Sequence, residues 1–304
     1  MILVAPAQAG AYPQRRCVEW APACAGATEF GVARSIPDKL RPFINADSSM
    51  DIATWNVNSL NIRRPHLEEW LKLRRPDVVA LQETKCEDVR FPDTDLAGLG
   101  YRSVFAGQKT YNGVAILSKL PAGDVQVGIG GFEDEQRRVI SATVDGVRIV
   151  NVYVVNGQAV GTDKYDYKLR WLAALRDWLQ GELAAHPQLI VLGDFNIAPD
   201  DRDVHDPQVW NDDHILTSTA ERAALRRLLD LGLHDSHRLH HDDAGQFTWW
   251  DYRAAAYRRN LGLRIDLALV SDALRGRVSA TTIDREPRTW ERPSDHTPVG
   301  ITLG

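Results

Sequence analysis

The chain has 304 residues, 44% of them hydrophobic, enough for one large α/β core. Thirty-six Lys and Arg against 41 Asp and Glu give a formal charge of −5, so overall charge does not hold this protein on a polyanion, although a bound cation would neutralise part of that surplus. Cys17, Cys24 and Cys86 are too few and too scattered for a disulfide framework or a cysteine zinc site, which fits a reducing cytoplasm; no apolar run reaches the roughly 18 to 20 residues of a membrane span.

Residues 1–49 are dominated by Ala, Gly and Pro, as in Ala5-Pro6-Ala7-Gln8-Ala9-Gly10, with no persistent period. They are expected to form an unstructured extension rather than a secretory signal, since no basic start is present and Met1 to Val4 is too short for an apolar segment. Met50 directly precedes the first strand pattern and offers an alternative translation start. Residues 50–304 are expected to form a single domain.

Ile52 to Val57 reads as a strand, Pro65 as the first residue of a helix with Leu67, Trp70 and Leu71 on one stripe, and Asp77 to Leu81 as a fully buried strand. Tyr101 to Phe105 and Gly113 to Leu117 are further strands. Asp145-Gly146 between Val139–Val144 and Val147–Val155 specifies a tight hairpin. Leu169, Leu172, Leu175, Leu179 and Leu183 mark a helix that delivers the chain to a short strand, Leu189 to Leu192, where Gly193 lets the backbone leave at an angle. Ser218 and Glu221 form a capping box for a helix that Gly232 stops, and Ile265–Val270 and Val299–Leu303 are the last strands. Hairpins mixed with helix-linked strands predict two mixed sheets packed face to face with helices outside.

Polar residues fall at the ends of these strands: Asn56 and Asn58, Gln82-Glu83, Tyr153 and Asn156, Asp194 and Asn196, Asp266, and Ser294-Asp295-His296. Gly-Asp-x-Asn at 193–196 is by itself an ordinary turn sequence. In layered α/β folds, however, strand ends bring distant residues together over a rigid base. Asp266, between Ile265 and Leu267, needs a partner if buried, and His296 is the candidate. A mostly oxygen ligand set suits a hard cation such as Mg²⁺, not zinc. Glu83 with Asn56 would hold it, Asp194 would orient or deprotonate water, and His296 would stabilise phosphoryl charge, which together make metal-assisted phosphodiester hydrolysis.

Trp55-Asn56-Val57-Asn58-Ser59-Leu60, Leu81-Gln82-Glu83-Thr84-Lys85, Asn112 to Ser118, Gln136-Arg137-Arg138, Gly193 to Pro199, Trp249-Trp250-Asp251-Tyr252-Arg253, Leu263-Arg264-Ile265-Asp266 and Pro293-Ser294-Asp295-His296-Thr297-Pro298 follow one another in the order of the exonuclease III family of apurinic/apyrimidinic endonucleases, which residues 50–304 resemble throughout. The resemblance implies a four-layer αββα sandwich, with Mg²⁺ (Mn²⁺ as a substitute) acting in a monomeric cytoplasmic enzyme on double-stranded DNA. The expected reaction is hydrolysis 5′ to an abasic site, with 3′–5′ exonuclease and 3′-phosphatase activities beside it.

By the same resemblance Asn56 and Glu83 are metal ligands, with Asp194, Asn196 and Asp295 at the same centre, and Tyr153, Asp194, Asn196, Asp266 and His296 are catalytic. The family's general base is assigned to either Asp194 or His296, and Asp194 is preferred here. Asn58, Lys85, Arg137 and Asn156 are expected at the DNA, and Trp249, Leu263 and Ile265 where the family receives a flipped-out abasic sugar. One departure is Val155, where the family usually has proline before Asn-Gly, so the Asn156 loop is expected to be less rigid.

Other features take plainer readings. His234, His237, His240 and His241 read as a solvated loop, Trp250 as core, and Arg264 as either a phosphate contact or a structural ion pair. Two rival functions remain open from sequence: a related hydrolase acting on RNA or a small phosphoester, and a catalytically silent DNA-binding module.

Overall fold

The structure, a computed structural model, describes residues 49–304; the expectations for residues 1–49 fall, apart from Ser49, outside the described residues. The elements in order are β1 (Met50–Asn56), α1 (Leu60–Arg74), β2 (Val78–Gln82), α2 (Asp93–Gly98), β3 (Arg102–Ala106), β4 (Val114–Ser118), β5 (Ala122–Val127), β6 (Val139–Val144), β7 (Val147–Tyr153), α3 (Asp163–Ala185), β8 (Leu189–Asp194), α4 (Thr219–Leu229), β9 (Leu233–Asp235), α5 (Ala256–Arg259), β10 (Asp266–Ser271), α6 (Asp272–Arg275), β11 (Val278–Ile283) and β12 (Val299–Leu303).

Two six-stranded mixed sheets form, in the orders β11-β12-β1-β2-β4-β3 and β5-β6-β7-β8-β10-β9. One core lies between them, built from inward-facing residues such as Ile52, Ala80, Ile116, Ile149, Leu192 and Ile301. A second joins the β5–β9 sheet to α3 and α4, and a third joins the β11–β3 sheet to α1. Three cores between four layers are the αββα sandwich the sequence implies. Among the described residues no helix is long and apolar enough to cross a membrane.

Several elements differ in extent from the sequence reading. Helix α1 begins at Leu60, five residues before Pro65, which lies inside it. Backbone bonds from Ser59 N to Glu83 O (2.8 Å) and Leu60 N to Thr84 O (2.9 Å) fix that start. Gly193 does not bend the chain out of the sheet; β8 runs through it to Asp194. A Cβ at Gly193, where φ is +143°, would lie 1.9 Å from the Val152 carbonyl oxygen, so glycine permits close approach of β7 where Val152 pairs with Gly193, one residue before the Tyr153–Asp194 pair.

The hairpin turn at Asp145-Gly146 is as expected: both residues have positive φ and Val144 pairs with Val147. Strands β5, β9 and β11 escape the sequence reading, and all three are sheet edges. An edge buries less of its surface, and Gly123-Asp124 in β5 sits at a register shift that breaks the alternation.

Candidate active site

The polar strand ends converge along one rim of the sandwich. Asn56 and Glu83 come from the β1–β2 end of one sheet, Tyr153, Asp194 and Asp266 from adjacent strands of the other. Asn56 Nδ2 bridges them, donating to Glu83 Oε1 and Asp194 Oδ2 at 2.9 Å each. Lys85 Nζ lies 2.7 Å from Glu83 Oε2 and donates to Asn58 Oδ1 at 2.7 Å.

The backbone here is unusual. Asn58, Ser59, Glu83, Lys85, Asn112 and Asn196 all have positive φ. Left-handed backbone costs a non-glycine residue on the order of 1–3 kcal/mol and persists only where surrounding contacts impose it. Here those contacts include Thr84 N to Gly113 O and Lys85 N to Asn112 O.

Behind the carboxylates, His296 Nδ1 lies 2.9 Å from Asp266 Oδ2, and its Nε2 faces Asp194 Oδ2 at 3.8 Å. Burial by itself lowers an imidazole, but Asp266 and Asp194 outweigh it and raise His296 to about 10. Asp194 moves the other way for a carboxylate: burial, with Asp266 and Glu83 repelling its charge, pushes it up to about 7 against the pull of His296. Glu83 is lowered, because Lys85 and the Asn56 amide more than offset its burial. Tyr153 is raised well above its ordinary value by burial and by Glu83 and Asp194, so it remains a phenol and a hydrogen-bond donor.

Because His296 normally titrates near 6.5, the stability it lends is complete below that pH and is lost as pH rises through about 10. In cation-free protein the Tm gap between wild type and His296→Gln is therefore expected to close between those limits; a gap that widens with pH overturns the assignment of a charged imidazole.

Glu83, Asp194 and His296 offer ligand atoms within 4.8 Å of one another. Nδ1 of His296 is engaged by Asp266 and its Nε2 faces Asp194, which suits a role beside Asp194. The carboxylates do fit a hard cation. With Asp266 and Asp295 there are four carboxylates in this neighbourhood against Lys85 and His296, and Asp194 is pushed upward by burial first and then by Asp266 and Glu83. Glu83 and Asp194 are the carboxylates placed to hold a divalent ion; Asn56, expected beside them as a ligand, instead turns its Nδ2 toward both while its Oδ1 accepts from Asn58 N at 3.0 Å.

The other expected site residues divide. Asn196 N donates to Asp194 Oδ1 (2.9 Å) and Asn196 Nδ2 to Val154 O (3.0 Å), while Asn156 Nδ2 reaches Asn196 Oδ1 at 3.2 Å, so both amides are in the centre. Asp295 sits beside it with both oxygens engaged, one by Asn58 Nδ2 (2.9 Å) and one by Trp249 Nε1 (3.0 Å). Trp249 is half-buried and Trp250 is core, whereas Leu263 and Ile265 are 0% and 1% exposed in a cluster with Ala198, Val204 and Leu216, so of the expected sugar-pocket residues only Trp249 has surface to offer.

Arg137 is exposed, and its neighbour Arg138 turns inward, its guanidinium 4.6 Å from the centroid of the Tyr153 ring. Arg138, Lys85 and Lys164 with Glu83, Tyr111 and Tyr153 line an open cleft of about 410 Å³ next to the carboxylates. Arg264 is structural: it is buried between Asp203 (2.6 Å) and Asp235 (2.7 Å). The histidine segment is not a solvated loop, since His237 is buried and stacks on His241 with ring centroids 4.7 Å apart.

Sequence reasoning missed Lys168. Its ammonium is wholly buried on α3, paired with Glu221, and donates to the carbonyls of Asn196 (2.7 Å) and Asn156 (3.2 Å). Only its place on the Tyr165-Lys168-Leu172 face of the helix hinted at this. Lys168→Met removes the buried cation that faces Glu221, and is expected to cost about 3–5 kcal/mol in urea unfolding.

Residues 53–296 match the Endonuclease/Exonuclease/phosphatase family, and the chain belongs to it. Within the family its relatives are of the exodeoxyribonuclease III kind, so it is a hydrolytic nuclease. Exodeoxyribonuclease III of Haemophilus influenzae is 34% identical over 262 residues, covering 82% of this chain and 98% of that protein. The 3′ phosphatase NExo from Neisseria, solved with a product DNA hairpin, is 47% identical with a TM-score of 0.83, covering 84% of this chain and 99% of that one. An AP endonuclease from Archaeoglobus fulgidus is 37% identical with a TM-score of 0.81 over the same shares.

Proposed function

We propose that this nuclease is a Mg²⁺-dependent DNA-repair enzyme that breaks the bond between phosphorus and a 3′ oxygen in duplex DNA, acting as a monomer in the cytoplasm. The observation that carries the reading is the meeting of Glu83 and Asp194, from different sheets, across the Asn56 amide, with the charged Asp266–His296 pair behind them. Incision 5′ to an abasic site, stepwise removal of 3′ nucleotides and removal of a 3′ phosphate all break the same O3′–P bond, so one centre serves all three.

A bound Mg²⁺ supplies Lewis-acid neutralisation of phosphoryl charge. The residues do the rest. Asp194, held near neutrality, accepts the proton of the attacking water; His296, already protonated and fixed by Asp266, faces Asp194 and stabilises charge on the phosphoryl oxygens. The Tyr153 phenol is a donor for the same oxygens, and the Asn196 amide, tied to Val154 O, Asp194 Oδ2 and Asn156, holds Asp194 in place. The O3′ leaving group departs as an alkoxide that takes a proton from solvent water, and Asp194 releases its own to solvent to close the cycle.

Within this reading two observations favour 3′-end processing over abasic incision. The neisserial 3′ phosphatase is 47% identical to the chain against 37% for the archaeal AP endonuclease. Two of the three apolar residues expected to receive a bare sugar, Leu263 and Ile265, are almost wholly covered. A time course on abasic, nicked, 3′-recessed and 3′-phosphate duplexes, with and without Mg²⁺, is expected to show release of 3′-hydroxyl ends from the 3′-phosphate substrate first. Faster turnover of single-stranded RNA or an inositol phosphate would overturn the assignment to DNA.

A further inference from the structure

Beneath the catalytic groups two buried amides tie the sheets together. Gln82 ends β2 one residue before Glu83, and Asn151 lies on β7 two residues before Tyr153. Both are 0% exposed. Gln82 Nε2 donates to Asn151 Oδ1 at 2.7 Å and to Thr54 Oγ1 at 2.8 Å. Asn151 Nδ2 crosses the interface to the carbonyls of Leu81 on β2 and Ala115 on β4, at 2.9 Å each. Among the described residues, the side-chain hydrogen bonds from a strand of one sheet to a strand of the other come from these two amides and from Asn56 in the site itself.

Their neighbours on the inner faces are Ala80, Val114, Ile116, Ile140, Ile149 and Leu192. In such company an amide costs more to bury than hydrocarbon of the same shape, so a core selected for stability alone has no use for the pair. Direction is what the pair adds. Apolar contact is non-directional and tolerates sliding of one sheet on the other, whereas a hydrogen bond weakens steeply with misalignment. The offset between the sheets sets the distance from Glu83 on one to Asp194 and Tyr153 on the other, and near-attack geometry is sensitive to shifts on the order of 1 Å.

We propose that Gln82 and Asn151 are positioning residues that fix the offset of the two sheets and thereby the catalytic spacing across the Asn56 bridge. This rests on the functional reading above, because the two halves of the centre are assigned by it.

The test uses Gln82→Met, Asn151→Leu and the double variant in the full chain. Each single change leaves a buried amide partly unpaired, and Tm is expected to fall by several degrees; removing both amides together restores part of it, since the Leu81 and Ala115 carbonyls lose their donor in either case. For the double variant, kcat on a 3′-phosphate duplex is expected to stay at least about 10-fold below wild type, with KM unchanged, and the Mg²⁺ concentration giving half of the cation-induced rise in Tm is expected to increase. A double variant that regains kcat together with Tm overturns the proposal. If the double variant does not fold, the same comparison is made on either single variant at a temperature where circular dichroism shows it folded, and wild-type kcat there overturns it. Inactivity of the wild-type chain on every DNA substrate defeats the functional reading instead, and the Mg²⁺ dependence of Tm then decides the positioning role by itself.

Discussion

Asp194→Ala is expected to lower single-turnover hydrolysis of a 3′-phosphate duplex by a factor on the order of 10² to 10⁴, the range that removal of a general base commands. The expectation follows from burial and charge. Asp194 lies 1% exposed between Asp266, Glu83 and His296, and is pushed up to about 7, so it can accept a proton near neutral pH. His296 is the poorer base, because at about 10 it already carries its proton. Asp194→Asn retains the shape and the acceptor for Asn196 N but not the basicity, and is expected to fall within the same range. A loss of only a few-fold in both variants, with Tm preserved, would refute the role.

Withdrawing the divalent cation is the second large effect. In excess EDTA turnover is expected to drop to background and to return on adding Mg²⁺, while the fold persists, since Lys85 and Asn56 already hold the Glu83 carboxylate. Titrated Mg²⁺ is expected to raise stability, by about 2.7 kcal/mol at a concentration one hundred times Kd. Glu83→Gln removes a charged ligand and should shift that titration to higher Mg²⁺. Full activity in EDTA would sink the metal-assisted mechanism.

Much of this site was legible one strand end at a time. Asp266 between Ile265 and Leu267 demanded a partner, and the structure supplies His296 at 2.9 Å. The hairpin at Asp145-Gly146 and the capping box of Ser218 with Glu221 are local devices, and both form as read. The edge strands β5, β9 and β11 were not legible, because a half-covered strand need not alternate. Arg138 and Arg137 are indistinguishable in a dipeptide, and only the register of β6 against β7 aims Arg138 at Tyr153. Lys168 looked like any helix lysine until α4 brought Glu221 over it.

The sequence by itself determined the order of the buried strands and the long helices, the residue types at their ends and so the kind of chemistry, because hydrophobic period, turn residues and motif order act over a few neighbours in the chain. The tertiary structure decided which of those residues share a charge. Asn56 and Asp194 are 138 residues apart in sequence and 2.9 Å apart in space. The height of Asp194, the protonation of His296 and the burial of Leu263 and Ile265 all depend on what two packed sheets exclude and what they bring within a few ångströms, which no local pattern encodes.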